Sequence, residues 1–264
     1  MINSSIALPE SSIIEKLIKK ARSKSLFELI QLSVFSLNLI RYRLQYPQVK
    51  FGVGVKIKGE FFVKGKGKVV IGDYCSFVGT KNLPNKIIAE DSSVSISIGK
   101  HCTIAGSTLL VEGKGAITIG NDCHLANYFN VPNKIVSRGN SGIITIGNQC
   151  YFNGTDMLSE SSIELEKLCM VSDAVIMDTD AHSIEIDRWN PKAITKTKPI
   201  YIGENAWIAS KSAVLKGVTI GKNSVVGLGT IVRQKVPENV IVIGNPQQIV
   251  KHLDPTVLPY EFPK

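Results

Sequence analysis

The sequence predicts an all-β solenoid, and three observations predict it. From Ile202 to Pro246 a branched apolar residue opens most units of six: Ile202, Ile208, Val214, Ile220, Val226 and Val232. A small residue often follows, as in Gly203, Ala209, Gly221 and Gly227, and Ile202-Gly203 recurs 18 residues later as Ile220-Gly221. A period of six within a period of 18 matches neither an α-helix, at about 3.6, nor a lone strand, at about 2. It matches a coil of three flat faces with each opening aliphatic turned into a triangular prism. Composition agrees: 22 Gly stand against 9 Phe and 2 Trp in a chain that is 44% hydrophobic, which indicates tight repetitive backbone rather than an aromatic core.

At 264 residues the chain holds one large domain and an appendage. The appendage is an N-terminal helical segment over 1–47. Ser12 and Glu15 suit a capping box, and Ile13, Ile14, Leu17, Ile18 and Ala21 form an apolar stripe opposite Lys16, Lys19, Lys20 and Arg22. A second apolar run, from Leu26 to Ile40, is broken by Glu28, Gln31 and Asn38. It falls short of the ~20 apolar residues of a membrane span, and no cleavage site of a signal peptide follows it. The segment reads as a cap on the first coil, or as an amphipathic element lying on an anionic membrane surface. Residues 1–50 hold eight Lys or Arg and three acids, more than half of the net charge of +9. Such a basic surface suits an anionic partner, and no nucleic-acid-binding motif accompanies it.

Pro47 ends the helical region, and the solenoid domain spans 48–246. Phe51 to Ile71 alternates Val, Ile and Phe with Lys and Gly, as short strands do. The repeat starts are then 71, 98, 119, 146, 165, 202 and 220, spaced by 27, 21, 27, 19, 37 and 18, so each departs from 18 or 36 by a loop-sized insertion. The segment Asn82-Leu-Pro-Asn-Lys-Ile87 recurs as Asn130-Val-Pro-Asn-Lys-Ile135. Two coils have been duplicated with their loop, and stacking would set Lys86 and Lys134 on one edge, suited to an acidic glycan. All five cysteines (Cys75, Cys102, Cys123, Cys150, Cys169) take the fifth place of a hexapeptide, which predicts small buried side chains rather than disulfides or a metal site. Residues 183–199 leave the hexad phase as an extended loop, where specificity can reside. Gly244-Asn245-Pro246 stops the coils, and 247–264 reads as a short helix and a tail.

The segments IGENAWIA, GVTIGKNSVVGLGTIV and IGNP, with IMDTDAHSI upstream, resemble the hexapeptide-repeat acyltransferases of the sugar and polysaccharide O-acetyltransferase type. The resemblance covers about Val70 to Leu253. It implies a left-handed parallel β-helix, a homotrimer with active sites between subunits, acetyl-CoA as donor, a carbohydrate acceptor in bacterial surface polysaccharide synthesis, a cytoplasmic location and no metal. It makes His182 the general base, a task that suits an imidazole titrating near neutrality, with Asp178 or Asp180 to orient it. It makes Asn153, in Tyr151-Phe-Asn153, an oxyanion donor. Tyr151, Asp180 and Trp189 are acceptor-contact candidates. Trp207, Ser210, Gly227, Leu228 and Gly229 would line the pantetheine channel, and Lys251 would meet the nucleotide phosphates. Ala209 stands where Gly is usual, Leu228 where Ala is usual, and Arg233-Gln234 where Thr-Lys is common. The competing readings are N-acetylation of an amino sugar, serine O-acetylation, a zinc enzyme using His101, His124 and His182, and a glycan-binding scaffold without catalysis.

Overall fold

The computed structural model describes residues 37–128 and 130–259. Its strands are short, three to five residues in most cases, because each runs the width of one prism face before a corner turns it. They stack into sheets of eight, ten and eight strands, which form the first, second and third faces. The first coil enters these faces at Val49–Phe51, Lys56–Lys58 and Phe61–Lys64. Every pairing between successive coils is parallel. On the first face Phe51, Ile71, Ile98, Ile119, Ile146, Leu165, Ile202 and Ile220 stand in one register column. All eight are buried. Moving a large aliphatic out of water contributes about 1.5–3 kcal/mol, and this inward column repeats on each face. The 37-residue interval from Leu165 to Ile202 is a single coil, because these two residues are direct partners. The excursion at 178–199 therefore leaves and rejoins the prism without consuming a turn of it.

The cysteines share one inner corner, between the first and second faces, and all are buried. Each thiol meets a carbonyl of the next coil, as Cys75 Sγ meets Gly99 O at 3.0 Å and Cys123 Sγ meets Gly147 O at 3.1 Å. Neighbouring thiols together with burial push Cys102 up to about 12, and the same surroundings hold Cys123 and Cys150 there. The two Pro-Asn-Lys repeats fall on the third face, in register through Thr108, with Lys86 and Lys134 exposed. Their asparagines turn inward. Asn85 Oδ1 accepts from Ser107 N at 3.1 Å, and Asn133 Oδ1 from Thr155 N at 3.0 Å.

Residues 37–45 form a helix, and its Tyr42 together with Tyr46, just past its end, covers the open end of the prism. Tyr42 lies edge-on to Phe61 at 5.5 Å, and Phe61 to Phe77 at 4.9 Å, so aromatic rings close the core at the first described coil. The helical stripe expected around Ser12 to Arg22 lies outside the described residues. Among the described residues, no helix is long and apolar enough to cross a membrane.

The expected C-terminal helix is not formed. Gly244, at φ +94°, reverses the chain, and Gln248–His252 becomes a strand antiparallel to Val240–Ile243. The last coil would otherwise present unpaired backbone groups along its open edge, and a returning strand satisfies them. Gln248 to His252 are all exposed, so no apolar stripe anchors a helix there. His252 and Lys251 consequently sit on a strand.

Candidate active site

His182 is exposed at the corner where the third face returns to the first, on a braced turn. Asp178, fully buried, accepts from Glu160 N at 2.8 Å and Ser161 N at 3.0 Å, and its Oδ2 lies 2.7 Å from Ser159 Oγ. Glu160 in turn holds Arg138 at 2.6 Å and receives Thr179 Oγ1–H at 2.5 Å. Thr179 Oγ1 accepts from Ala181 N at 3.0 Å, and Ala181 takes φ +61°. Backbone bonds from Asp180 N to Lys196 O and Lys198 N to Asp178 O zip the base of the excursion. These contacts use up Asp178, so it is not free to orient His182. Asp180 differs. Its Oδ1 pairs with Lys216, and its Oδ2 is buried with no partner among the described residues. Arg138, Glu160 and Thr179 escaped the sequence reading, because their joint role depends on coils that lie side by side in space.

Asn153 occupies a different corner, where the second face meets the third. It is 5% exposed, and its Oδ1 accepts from Tyr128 N at 2.9 Å. That bond fixes the amide, and Nδ2 makes no hydrogen bond among the described residues, so a donor is left available. Asn153 pairs in register with Ala126 and Ser172. With Ala209 and Gly227 in the next coils, these outward positions form a column of small side chains. Beside it runs a larger column of His124, Tyr151, Met170, Trp207 and Val225. The second face thus carries a trough with a small-residue floor and a bulky wall. Ser210 and Gly229 continue it onto the corner, linked by Gly229 N to Ser210 O at 3.0 Å. A Cβ on Gly229 would meet nothing within 4 Å, so this edge is open to a thin ligand. Leu228 is 75% exposed and stands over the same edge. Lys251 lies beyond the last coil of the face, opposite Ile241. Gln247 locks the Arg233-Gln234 turn, accepting at 2.6 and 3.2 Å.

Tyr151 packs edge-on to His124 at 5.5 Å. Burial holds the His124 imidazole below its ordinary value, and burial with Tyr128 alongside pushes the Tyr151 phenol up. Tyr128 was not singled out from the sequence, where His124 entered only as one of three candidate zinc ligands. Trp189 is 93% exposed on the excursion, remote from this trough within one chain. His101 stacks on Tyr74 at the corner between the first and second faces, so His101, His124 and His182 do not converge. A cavity of about 750 Å³ elsewhere, on the first face, is lined by Glu166, Tyr201, Thr219 and Lys235. There the Glu166 carboxylate raises the Tyr201 phenol to about 12. The cavity holds none of His182, Asn153 and Trp207.

No protein-family model matches the chain. It is 36% identical over 75 residues to a putative acetyltransferase of Saccharomyces cerevisiae, a match covering 28% of this chain and 38% of that protein. It is also 36% identical over 80 residues to the galactoside O-acetyltransferase of Lactococcus lactis, covering 30% and 38%. The chain therefore spans well under half the length of these curated relatives. Among solved structures, the polysialic acid O-acetyltransferase OatWY superposes with a TM-score of 0.56 at 20% identity, over 81% of this chain and 93% of that one. The fold is thus the left-handed β-helix of that enzyme. In its repeats and its fold the chain is similar to the hexapeptide-repeat acetyltransferases.

Proposed function

We propose that this protein is an acetyl-CoA-dependent O-acetyltransferase acting on a sugar hydroxyl, in the synthesis of a bacterial surface polysaccharide. The observation that carries the reading is a braced, solvent-facing imidazole at one corner of the third face and a donor-bearing trough at the other. His182 takes the proton from the acceptor hydroxyl as that oxygen attacks the thioester carbonyl. Asn153 Nδ2–H donates to the oxyanion that develops. The carbon–sulfur bond then breaks, and the imidazolium returns its proton to the leaving thiolate. Asp180, with its spare Oδ2, receives the imidazole N–H. The donor lies in the trough past Trp207, Ser210, Gly227, Leu228 and Gly229, and Lys251 faces its phosphates. Tyr151 and Trp189 contact the acceptor. Holding both reactants in line supplies much of the acceleration. The similarity to a galactoside O-acetyltransferase and to the fold of a polysialic acid O-acetyltransferase supports a carbohydrate acceptor.

The active assembly is a homotrimer. Within one chain His182 and Asn153 lie at opposite corners of the third face, a sheet width apart. The outer surface of that face carries an apolar column of Ile88, Leu110, Val136, Leu158, Met177 and Leu215. A threefold axis along this face buries the column and brings His182 of one protomer to the trough of the next. The enzyme works in the cytoplasm, with the basic N-terminal segment as its contact to the inner membrane surface.

The test is thiol release from acetyl-CoA against a panel of sugars and glycans. Acceptor-dependent release should fall roughly 10²–10⁴-fold in His182→Ala. Equal rates in the two proteins would remove His182 from the mechanism.

A further inference from the structure

The second face extends for four coils beyond Asn153 on the side away from Lys251, and the donor reading leaves that half of the trough unused. The floor column continues there through Ala126, which is buried, and Ala105 to the larger, exposed Val78 and Lys58. The wall continues through His124 and Thr103 to Ser76 and Lys56. Strands of a sheet lie about 4.8 Å apart, so the run from Asn153 to Lys58 is roughly 19 Å. Tyr128, His124 and Tyr151 stand at its inner end, where an aromatic face can take the C–H side of a pyranose ring. Lys56 and Lys58 stand at its outer end, both exposed and outward, and neither forms an ion pair among the described residues.

Charge distinguishes this face from the other two. None of its ten strands contains Asp or Glu, whereas the first face carries Glu164 and the third carries Asp156 in their strands. Its cations sit at the two ends, Lys56 and Lys58 at one and Lys251 at the other. A face that is basic at both ends and carries no carboxylate in the strands between suits two anionic ligands meeting in the middle. The phosphates of the donor account for the Lys251 end.

We infer that the other half of the second face is an acceptor track for an acidic oligosaccharide several sugar units long, with its reacting sugar on His124, Tyr128 and Tyr151 and its distal carboxylates at Lys56 and Lys58. This inference rests on the acetyltransferase reading for its direction along the face, and it excludes a lone monosaccharide as the natural acceptor. A neutral oligosaccharide would leave the lysine pair without a partner.

The experiment measures direct binding to the full chain by fluorescence anisotropy, with labelled hexamers of galacturonic acid, sialic acid and maltose. At least one acidic hexamer should bind, more weakly as salt rises, and maltohexaose should bind less well. The double variant Lys56→Ala/Lys58→Ala should weaken acidic binding roughly five- to tenfold and leave thiol release with a monomeric acceptor unchanged. Tyr128→Ala should weaken both acidic and neutral hexamers. Failure of all acidic hexamers to bind, equal binding of maltohexaose, or an unaltered affinity in the lysine variant would each overturn the track. Failure of the catalytic reading is separable. It would appear as acidic hexamers binding through Lys56 and Lys58 while the wild type releases no thiol with any acceptor.

Discussion

The coils before the 178–199 excursion and those after it obey one core rule and differ at their corners. Inside, both parts stack Ile, Leu and Val in register, and every residue of the first-face column is buried. At the corners the earlier part accepts repeat intervals of 27, 21, 27 and 19, while the later part holds 18 and then shortens to 16 in its last coil. The earlier part lines one inner corner with thiols. The later part puts Ala206 and Ser224 there, and Ser224 Oγ bonds Pro237 O at 2.6 Å. The lesson is physical. A loop that leaves at the end of one strand and returns at the start of the next does not disturb the parallel register, and added loop length raises closure cost only slowly. Inward positions are therefore constrained by packing, whereas corners are free to acquire chemistry. Both halves of the candidate site lie at corners or on the outer surface.

The contrast can be broken most forcefully in the core. Phe152, fully buried in the irregular part, should lose about 3–5 kcal/mol of stability on replacement by Ala, because a cavity adds to the lost burial. Val226→Ala in the regular part removes two methyl groups and should cost about 2 kcal/mol. Urea denaturation of both variants measures the difference. A loss below about 1 kcal/mol for Phe152→Ala would mean that the inserted loops let the irregular coils collapse around the gap.

A second effect separates the corner that bears His182 from its downstream counterpart. Asp178→Ala strands the Glu160 and Ser161 amides, whereas the Ser159 hydroxyl keeps the Ile143 carbonyl, and it should cost about 2–6 kcal/mol, given ~1–3 kcal/mol for each donor left without a partner. Transfer should fall with it while donor binding persists, since the trough lies on another corner. Asp178→Asn retains one acceptor and should recover part of the loss. If Asp178→Ala kept full transfer, the braced turn would have no part in presenting His182.

The gentlest test concerns the thiol corner and shows only at high pH. Thiols held near 12 in the fold titrate near 9 when exposed, so the folded state keeps protons that the unfolded state gives up. Their contribution is fully present below about pH 9 and is lost as pH rises toward about 12. Cys102→Ser with Cys123→Ser should flatten the fall in melting temperature across that window. Ala206→Cys in the regular part should steepen it. An unchanged alkaline profile in both would mean that the stacked thiols do not govern it.

Much of this molecule was legible in its residues because a solenoid makes local pattern and tertiary register the same thing. The predicted repeat starts at 71, 98, 119, 146, 165, 202 and 220 are the observed partners on the first face. The burial of all five cysteines followed from their common phase. The site was less legible. Tyr151, Asn153 and His182 could be named singly, but no periodicity reveals that Asn153 shares an edge with Ser210 and Gly229 while His182 stands at another corner. Tyr128 carries no signal of its own, and His124 only that of a candidate zinc ligand, until the coils bring them against Tyr151 and Asn153.

What the sequence determined by itself is the coil, because an aliphatic every sixth residue has no other way to leave water together with its neighbours. What only the tertiary structure decided is how non-repeating residues use the space between coils. Gln248 to His252 became a strand because an open sheet edge was there to pair with. The 37-residue interval became one coil because Leu165 and Ile202 fit one column. Asp178 rather than Asp180 was spent on the turn, because three donors of the preceding coil converge on its buried carboxylate. Each outcome depends on a partner distant in sequence and adjacent in the prism, where packing and hydrogen bonding override local preference.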